Sequence, residues 1–513
     1  MSDTQVLIAG AGPTGLALAL WLTKAGIRIR IIDKTTGPGT TSRALVVHAR
    51  TLEFYRQIGL ADAAVERGVP FRAINLWVRG RKAAHAPLGD MGVGLSPYPF
   101  MLILPQDEHE QLLVEELGKL GITVERRTEL TSFIEEGGGI VARLRMPDGS
   151  EQSCTADYLG GCDGARSIVR EQLGIGFPGG TYAHIFYVAD IEATGPVLDG
   201  ELHLALDDAD FLGGFPMKGA GRMRLVGTVR DGTGAATEAT WDDVNTRIVD
   251  QLRLDVTKVR WFSTYRVHHR VGGAFRRGRA FLLGDAAHLH SPVGGQGMNT
   301  GIGDAVNLAW KLASVLTGRA GEALLDTYEP ERIGFARRLV ATTDRAFMFV
   351  SGTGRLAAFV RTRVAPPAVS TLMRSAGVRR LMFRTMSQIA ITYRTSGLNS
   401  GSAGLVRGGD RLPWVQPDEA GGADNFAPLS ARDWQLHVYG EPAAAVREAS
   451  ATTGIALHAF AWCAAAGRAG LQENATYLVR PDGYVGLADA ASDPATIENY
   501  LRAHGLRVTA AAR

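Results

Sequence analysis

Cysteine is scarce in this sequence: Cys154, Cys162 and Cys463 are the three among 513 residues. So few thiols over such a length argue against a disulfide framework and predict a reducing compartment, which we take to be the cytoplasm. The net charge of +3 is too small to predict a nucleic-acid partner. The composition, 45% hydrophobic and 21% charged, is that of a globular protein with room for two or three domains.

Long apolar runs are also lacking. The stretch from Val6 to Leu22 is rather apolar, but it has no basic start and its glycines interrupt it early, so we exclude a signal peptide and a membrane span. No later run reaches the length of a span. We therefore expect no stable membrane association.

Two further absences exclude specific chemistry. His288 and His290 stand close together, but no carboxylate–histidine cluster completes a metal site. The C-terminal region carries Cys463 without a Cys-x-x-Cys, so we do not expect it to exchange disulfides.

Residues 345–394 contain nine arginines and no Asp or Glu, which predicts a basic helical connector or a subunit contact, with a membrane-surface helix as an alternative.

What the sequence does contain is a dinucleotide-binding pattern at its start. An apolar run over 5–9 stops at Gly10-Ala-Gly12-Pro-Thr-Gly15, a helix follows, and a second apolar run ends in Asp33. The order of strand, glycine turn, helix, strand and acid is far more specific than an isolated glycine motif.

Each residue of this pattern has a physical reason. Gly10 permits a tight turn, and Gly12 has no Cβ to keep the backbone away from a pyrophosphate. Gly15 allows the helix, predicted over 16–25, to pack closely on the strands. The N-terminus of that helix faces the phosphates with free N–H groups, and Asp33 accepts hydrogen bonds from a ribose.

A second GxGxxG at Gly174, Gly176 and Gly179 follows a helix and opens none. We interpret it as a loop, which leaves one dinucleotide fold in the chain.

Two later motifs also end strands. Asp163-Gly164 places a carboxylate and a bare backbone together, as suits a phosphate or a ribose. A buried strand delivers Gly284-Asp285, and a glycine-rich loop then leads into a buried helix that begins near Asn299.

In this order the three motifs resemble the single-component class A flavoprotein aromatic monooxygenases, which are related to para-hydroxybenzoate hydroxylase. The stretch from Gly284 to Asn299 is similar to the branch of phenol hydroxylase, pentachlorophenol monooxygenase and the antibiotic-tailoring hydroxylases. The resemblance covers nearly the whole chain, and its motifs are specific for FAD but not for a substrate.

The resemblance implies an α/β fold: a Rossmann-like FAD-binding domain, an inserted β-sheet substrate domain and a C-terminal thioredoxin-like α/β domain. The expected FAD-binding domain is discontinuous, over 1–180 and 271–344, and includes strands around 70–105. The expected substrate domain covers 181–270, the helical connector 345–399 and the thioredoxin-like domain 400–513. The aromatic residues of 70–105 are either core or part of a substrate wall.

The resemblance also implies cofactor contacts. The ADP half of FAD lies at the first glycine motif, and the flavin lies at the loop after Gly284. The full expected set is Gly10, Gly12, Pro13, Thr14, Gly15, Asp33, Lys34, Arg43, Gln106, Asp163, Gly284, Asp285, Pro292, Gly295, Gly297, Met298 and Asn299. Arg43 follows a Gly/Thr/Ser-rich loop, where a solvated arginine is the alternative. The phenol-binding aspartate of some relatives is missing, since Leu45 stands near its place.

The implied reaction is hydroxylation of a phenolic or polyketide-like substrate by O2 through a flavin C4a-hydroperoxide, with FAD as cofactor and NADPH (or NADH) as reductant. Baeyer–Villiger oxygenation, epoxidation, or a flavin oxidase or dehydrogenase without oxygen insertion are the alternatives. A halogenase is disfavoured because none of the eight tryptophans forms a WxW motif. A homodimer is one expectation for the assembly.

Tyr265 is the residue that we predict to contact the substrate hydroxyl. It ends the β-rich insert twenty residues before Asp285, and similar phenol hydroxylases have a tyrosine in such a stretch. The alternative is a core tyrosine of the sheet.

Overall fold

The computed structural model describes residues 2–39, 44–89, 91–206, 211–229, 240–244, 246–291, 293–351, 359–416 and 423–507. Its first part alternates strands and helices. The strands are β1 (Thr4–Ala9), β2 (Ile29–Asp33), β3 (Val46–Val47), β4 (Val69–Phe71), β5 (Ala73–Val78), β6 (Arg81–Pro87), β7 (Met101–Ile103), β8 (Glu125–Arg126), β9 (Glu129–Glu136), β10 (Gly139–Arg145) and β11 (Glu151–Gly161). The helices are α1 (Pro13–Lys24), α2 (Ala49–Gln57), α3 (Ala61–Arg67), α4 (Gln106–Lys119) and α5 (Ile168–Gln172).

The middle of the chain is mostly strand. Its elements are β12 (Gly179–Thr194), β13 (Leu202–Leu206), β14 (Phe211–Pro216), β15 (Arg222–Val229), α6 (Thr246–Gln251), β16 (Asp255–Val271), β17 (Arg276–Arg277), β18 (Ala280–Leu282) and β19 (His288–Leu289). The α-helices that follow among the described residues are α7 (Gln296–Leu316), α8 (Tyr328–Ser351), α9 (Ala365–Leu372) and α10 (Ala376–Met386). The C-terminal elements are β20 (Ser400–Ala403), β21 (Val406–Arg407), β22 (Gln435–Tyr439), α11 (Ala444–Thr453), β23 (Ala456–Phe460), α12 (Ala464–Arg468), β24 (Thr476–Val479), β25 (Val485–Asp489) and α13 (Pro494–Ala503).

The first sheet brings the three sequence motifs to one edge. Its strand order is β17-β18-β11-β1-β2-β8, and β10 and β9 extend it from β11. Strand β1 runs parallel to β2 and β11, and β11 runs parallel to β18. The carboxyl ends of parallel strands lie at the same edge, so the turns after β1, β11 and β18 meet there. These turns carry Gly10, Asp163 and Gly284.

The second sheet has the order β19-β16-β12-β15-β14-β13-β5-β6. We expected the strands around 70–105 to belong with the FAD-binding domain, and for β5 and β6 this was wrong. Leu202 to Leu206 of β13 pair in parallel with residues 74–78 of β5, and β6 continues the sheet from there. The two strands supply edge hydrogen bonds that the insert alone would leave unmade.

Helix positions differ from the predictions at their ends. Helix α1 begins at Pro13, three residues earlier than predicted, because Pro13 suits the first helical turn. Helix α7 begins at Gln296, so Gly297, Met298 and Asn299 lie in its first turn rather than in the preceding loop. A short 3₁₀ turn, Trp241–Asp243, precedes α6.

The C-terminal region has a thioredoxin-like arrangement. Its mixed sheet has the order β21-β20-β25-β24-β22-β23. Strands β22 and β23 are parallel and are joined through α11, whereas β24 and β25 form an antiparallel hairpin before α13. The hairpin turn contains Asp482.

A fully buried ionic group, which we call the joining cluster, connects this region to α7 and α8. Its members are Lys311, Glu331, Arg480 and Asp482. The Glu331 carboxylate lies 2.9 Å from Lys311 Nζ and 2.8 Å from Arg480 Nη1, and Arg480 Nη2 lies 2.7 Å from Asp482. Burial alone would raise the pKa of Glu331, but Arg480 and Lys311 outweigh it and hold that pKa well below its usual range.

Candidate active site

A cavity of about 1230 Å³ lies between the carboxyl edge of the first sheet and one face of the second. Its lining begins at Gly12, Pro13 and Thr14 and reaches Phe186 and Tyr265 on the far side. The cavity therefore joins the dinucleotide motif to the β-rich insert.

The three glycines of the first motif have distinct surroundings. Gly10 has φ +101°, and a Cβ there would lie 2.3 Å from the carbonyl oxygen of Cys162. A Cβ on Gly15 would lie 2.0 Å from the carbonyl oxygen of Gly10. A Cβ on Gly12 would meet nothing within 4 Å. Gly10 and Gly15 are thus required by the chain itself, whereas the space beside Gly12 faces the cavity and fits an approaching phosphate group.

Asp33 stabilises this turn from the end of β2. The Ala11 N–H donates to its Oδ2 at 2.6 Å, and the Thr35 N–H and Oγ1 donate to its Oδ1 at 2.7 and 2.6 Å. A carboxylate has about four lone-pair positions, two on each oxygen, so Oδ1 is fully used and Oδ2 keeps one position that can accept from a ribose. Lys34, the next residue, is exposed, and it does not line the cavity.

Asp163 follows β11 directly behind the glycine turn. The Val169 N–H donates to its Oδ2 at 3.2 Å, while its buried Oδ1 has no hydrogen-bond partner among the described residues. Burial raises the pKa of this carboxyl, against the effect of nearby donors at Ser167 and Val169. Cys162, Gly164 and Ala165 beside it line the cavity, so the orphaned oxygen lies where a ligand group would complete its hydrogen bonds.

Gly284 and Asp285 are held in place by a second buried ionic group, which we call the loop cluster: Asp304, His288 and Arg332. Asp304 Oδ2 accepts from the Gly284 N–H at 3.0 Å and lies 2.7 Å from His288 Nε2. Arg332 Nε lies 2.6 Å from Asp304 Oδ1. Burial alone would raise the pKa of Asp304, but Arg332 and His288 outweigh it and keep this pKa below its usual value. The cluster leaves Asp285 exposed to the cavity.

The loop before α7 turns its helix end toward the cavity. Gly294 and Gly295 both adopt positive φ, at 76° and 63°, and Gly295 provides no side chain to cap the helix. Gly297 and Met298 in the first turn line the cavity. Uncapped N–H groups and the positive end of a 21-residue helix therefore face the place where a flavin ring would lie.

The Asn299 side chain holds the start of α7 against neighbouring elements. Its Oδ1 accepts from the His48 N–H and the Thr51 hydroxyl at 2.9 and 2.8 Å, and its Nδ2 donates to the carbonyl oxygens of Val46 and Gly295, both at 2.8 Å. This buried side chain joins α7 to β3 and α2 and does not line the cavity.

Gln106 lines the cavity at the start of α4 and accepts from the Ala44 N–H at 3.2 Å. Arg43 and Pro292 lie outside the described residues. Of the other predicted residues, the cavity brings together nine: Gly12, Pro13, Thr14, Gln106, Tyr265, Asp285, Gly295, Gly297 and Met298. Gly10, Gly15, Asp33, Asp163, Gly284 and Asn299 lie behind this lining and shape it.

One face of the second sheet forms the roof of the cavity. Phe186 on β12 pairs with Thr228 on β15 and with Tyr265 on β16, and all three line the cavity. The Phe186 and Tyr265 ring centroids are 5.9 Å apart. The other face of the sheet packs against its own core, which includes Tyr187 and Leu252. Tyr265 therefore faces the cavity rather than that core.

The wall contributed by α8 was missed in the sequence. Phe335, Arg338, Leu339 and Thr342 line the cavity from one helix face. Their spacing of i, i+3, i+4 and i+7 was the available signal, although the mixture of polar and apolar residues obscures it. The loop cluster was also missed, and its signal was Asp304, the one acidic residue of α7.

Two further properties hold for the described residues. No group of three His, Cys, Asp or Glu residues there could hold a metal ion. In the same part of the chain, every helix is too short or too polar to cross a membrane.

The fold and the cavity define a dinucleotide-binding oxidoreductase, and comparison with known proteins specifies the family. Residues 3–343 match the family model described as FAD binding domain. The 6-methylpretetramide 4-monooxygenase of Streptomyces rimosus is 41% identical over 429 residues, which cover 79% of this chain and 73% of that protein. The pentachlorophenol 4-monooxygenase of Sphingobium chlorophenolicum is 34% identical over 69% of this chain and 66% of that protein.

Solved structures agree over nearly the whole length. The anhydrotetracycline hydroxylase of Streptomyces rimosus superposes with a TM-score of 0.79 at 28% identity, over 98% of this chain and 100% of that chain. A ternary complex of aklavinone-11 hydroxylase with FAD and aklavinone gives a TM-score of 0.78 at 27% identity, over 99% of each chain.

The chain therefore belongs to the FAD-binding-domain family of class A flavoprotein aromatic monooxygenases. It is an FAD-dependent aromatic monooxygenase, and NAD(P)H is the reductant typical of this family. The open space beside Gly12, the orphaned Asp163 Oδ1 and the uncapped start of α7 fit FAD.

Proposed function

We propose that this chain hydroxylates a polycyclic phenolic substrate of the polyketide type with O2, at the expense of NAD(P)H. The observation that carries the proposal is one continuous cavity of about 1230 Å³ from the dinucleotide motif to an apolar roof. FAD would fill the part of this cavity beside Gly12 and the start of α7, and the part that remains lies under an apolar roof that suits an aromatic ring system. The names of the similar tetracycline-type hydroxylases support the same class of substrate.

The bound FAD would supply hydride acceptance and oxygen activation. Gly12 and the start of α1 would hold its pyrophosphate, with Asp163 and Asp285 nearby. The first turn of α7, at Gly297 and Met298, would stabilise negative charge on the ring by its N–H groups and dipole. These backbone groups are fixed before the reaction, so no reorganisation is needed when charge develops.

The roof serves the reaction by excluding water. Phe186, Val226 and Val267 cover the cavity, and a dry site favours transfer of oxygen to the substrate over its loss as H2O2. Tyr265 would place its hydroxyl beside the substrate phenol, where a hydrogen bond aids ionisation of that phenol.

NAD(P)H would bind transiently across the FAD-binding and insert regions, with a modest preference for NADPH. The second glycine motif supports this proposal: Gly174 follows α5, and Gly179 begins β12, so no helix opens at the motif. Three free cysteines and dependence on NAD(P)H are consistent with a cytoplasmic enzyme.

The test is turnover of FAD-loaded protein with a panel of polycyclic polyketide phenols and monocyclic phenols. We expect NADPH consumption to rise with a polycyclic compound, and ¹⁸O2 to label the product with one atom. Product formation without label would indicate an oxidase or dehydrogenase. Labelled ester or epoxide products would indicate Baeyer–Villiger or epoxidising chemistry.

A further inference from the structure

A row of three side chains crosses the cavity roof. Phe186 stands in the middle, with Thr228 on the strand to one side and Tyr265 on the strand to the other. Residues directly opposite each other in antiparallel strands project from the same face of a sheet. The row therefore lines the cavity with a threonine, a phenylalanine and a tyrosine side chain.

The surroundings of this row are apolar. Leu204, Phe215 and Val226 line the same roof. Thr228 Oγ1 is buried there and has no hydrogen-bond partner in the part of the chain that the structure describes. A buried hydroxyl without a partner is costly, and native structures rarely retain one. Thr228 itself lines the cavity, so a change of its χ1 rotamer would turn Oγ1 from this packed position toward a ligand, which would provide the missing partner.

We propose that Thr228 Oγ1 binds a second oxygen substituent of the aromatic substrate, at the end of the ring system opposite the phenol beside Tyr265. The proposal rests on the proposed function and narrows its substrate class. Phe186 would pack against the rings between the two hydroxyls.

The strand geometry sets the length of the ligand. Thr228 and Tyr265 lie on strands separated by β12, so their backbones are about 10 Å apart, two strand spacings. A single ring with one oxygen reaches one hydroxyl of the row, whereas a linear fused system reaches both. Thr228 is thus a specificity residue for polycyclic substrates that carry oxygen at both ends.

The test uses Thr228→Val, which keeps the side-chain shape and removes the hydroxyl. FAD-loaded, oxidised protein is titrated without NAD(P)H, and binding is followed by the change in flavin absorbance. The probes are anhydrotetracycline, a tetracyclic compound with several oxygens, and pentachlorophenol, with one. We expect Thr228→Val to bind anhydrotetracycline about tenfold more weakly, with pentachlorophenol unchanged and Thr228→Ser close to wild type.

The matched control is Thr264→Val. Thr264 pairs with Tyr187 and shares its face of the sheet, away from the cavity, so its substitution should change neither affinity. Equal affinity of wild type and Thr228→Val for anhydrotetracycline would overturn the Thr228 assignment and leave the proposed function intact. Wild-type protein that bound neither probe nor any polycyclic phenol would overturn both.

Discussion

Glu331 and Arg332 are neighbours on α8, yet their side chains enter different buried ionic clusters. Arg332 joins Asp304 and His288 in the loop cluster, 2.6 Å from Asp304, behind the turn that would carry FAD. Glu331 joins Lys311 and Arg480 in the joining cluster, between α7, α8 and the C-terminal sheet. Both clusters are fully buried, but only the loop cluster reaches the backbone of a cavity turn.

The difference separates positioning from assembly. A buried ion pair contributes little net stability, while removing one partner leaves a costly unpaired charge. In the loop cluster that cost should disturb the cofactor turn locally. In the joining cluster it should disturb the attachment of the whole C-terminal region. Substitutions in the loop cluster and substitutions in the joining cluster should therefore have distinguishable effects.

The largest effect is expected for Gly12→Val, in the turn that would hold the FAD pyrophosphate. The new side chain enters space that is open in the protein, so the chain should fold, but it blocks the pyrophosphate and FAD binding should be lost. Flavin absorbance of the purified protein measures this. Gly118→Val, in α4 and also in open space, should keep its flavin. Full FAD occupancy in Gly12→Val would show that this loop is misassigned.

In the joining cluster, Glu331→Gln should lower the free energy of unfolding by about 3–5 kcal/mol. Arg480 and Lys311 would remain buried without the Glu331 carboxylate. Urea unfolding measures the loss, and limited proteolysis should show earlier release of the C-terminal region.

The pH dependence sharpens this test. The pKa of Glu331 is lowered in the folded protein, so its contribution is present above the ordinary glutamate pKa and is lost as pH falls through the folded value. The difference in the free energy of unfolding between wild type and Glu331→Gln should thus become smaller in acid. If that difference stayed constant down to the pH of acid unfolding, it would contradict an ionised Glu331.

Tyr265→Phe tests the roof without touching either cluster. Removal of the hydroxyl should lower hydroxylation on the order of 10²-fold, with FAD binding intact and H2O2 release increased. Product and peroxide are quantified against NADPH consumed. If turnover and the ratio of product to NADPH consumed were unchanged, Tyr265 would have a packing role.

Asp304→Asn breaks the loop cluster while keeping its shape. Loss of the charged hydrogen bonds to Arg332 and His288 should weaken FAD binding about tenfold to a hundredfold, by about 1.5–3 kcal/mol. Asp326→Asn, at an exposed ion pair with Arg276, is the control and should bind FAD as wild type does. Equal FAD affinity of both variants would mean that the cluster does not position Gly284.

The smallest effect is expected for Cys463→Ser in the C-terminal region. Cys463 is the one cysteine there, and a lone thiol cannot cycle a disulfide, so turnover should stay within about twofold. A large loss of activity in a folded variant would reveal a chemical role for this region.

The sequence by itself determined the dinucleotide motif, because its glycines answer local backbone demands: Gly10 at φ +101° and Gly15 against the Gly10 carbonyl. It also determined the three turns that meet at the cavity, since parallel strands place their carboxyl ends at one edge. The family resemblance rested on these residues, and the comparisons confirm it.

Only the tertiary structure decided what depends on distant pairing. Strands β5 and β6 join β13, more than a hundred residues later, because open edges of that sheet needed partners. Two other features also arise where separate elements meet. One is the placement of Glu331 and Arg332 in different clusters, and the other is the row of Thr228, Phe186 and Tyr265. No local propensity encodes such contacts, since each residue finds its partner only when the sheets and helices pack together.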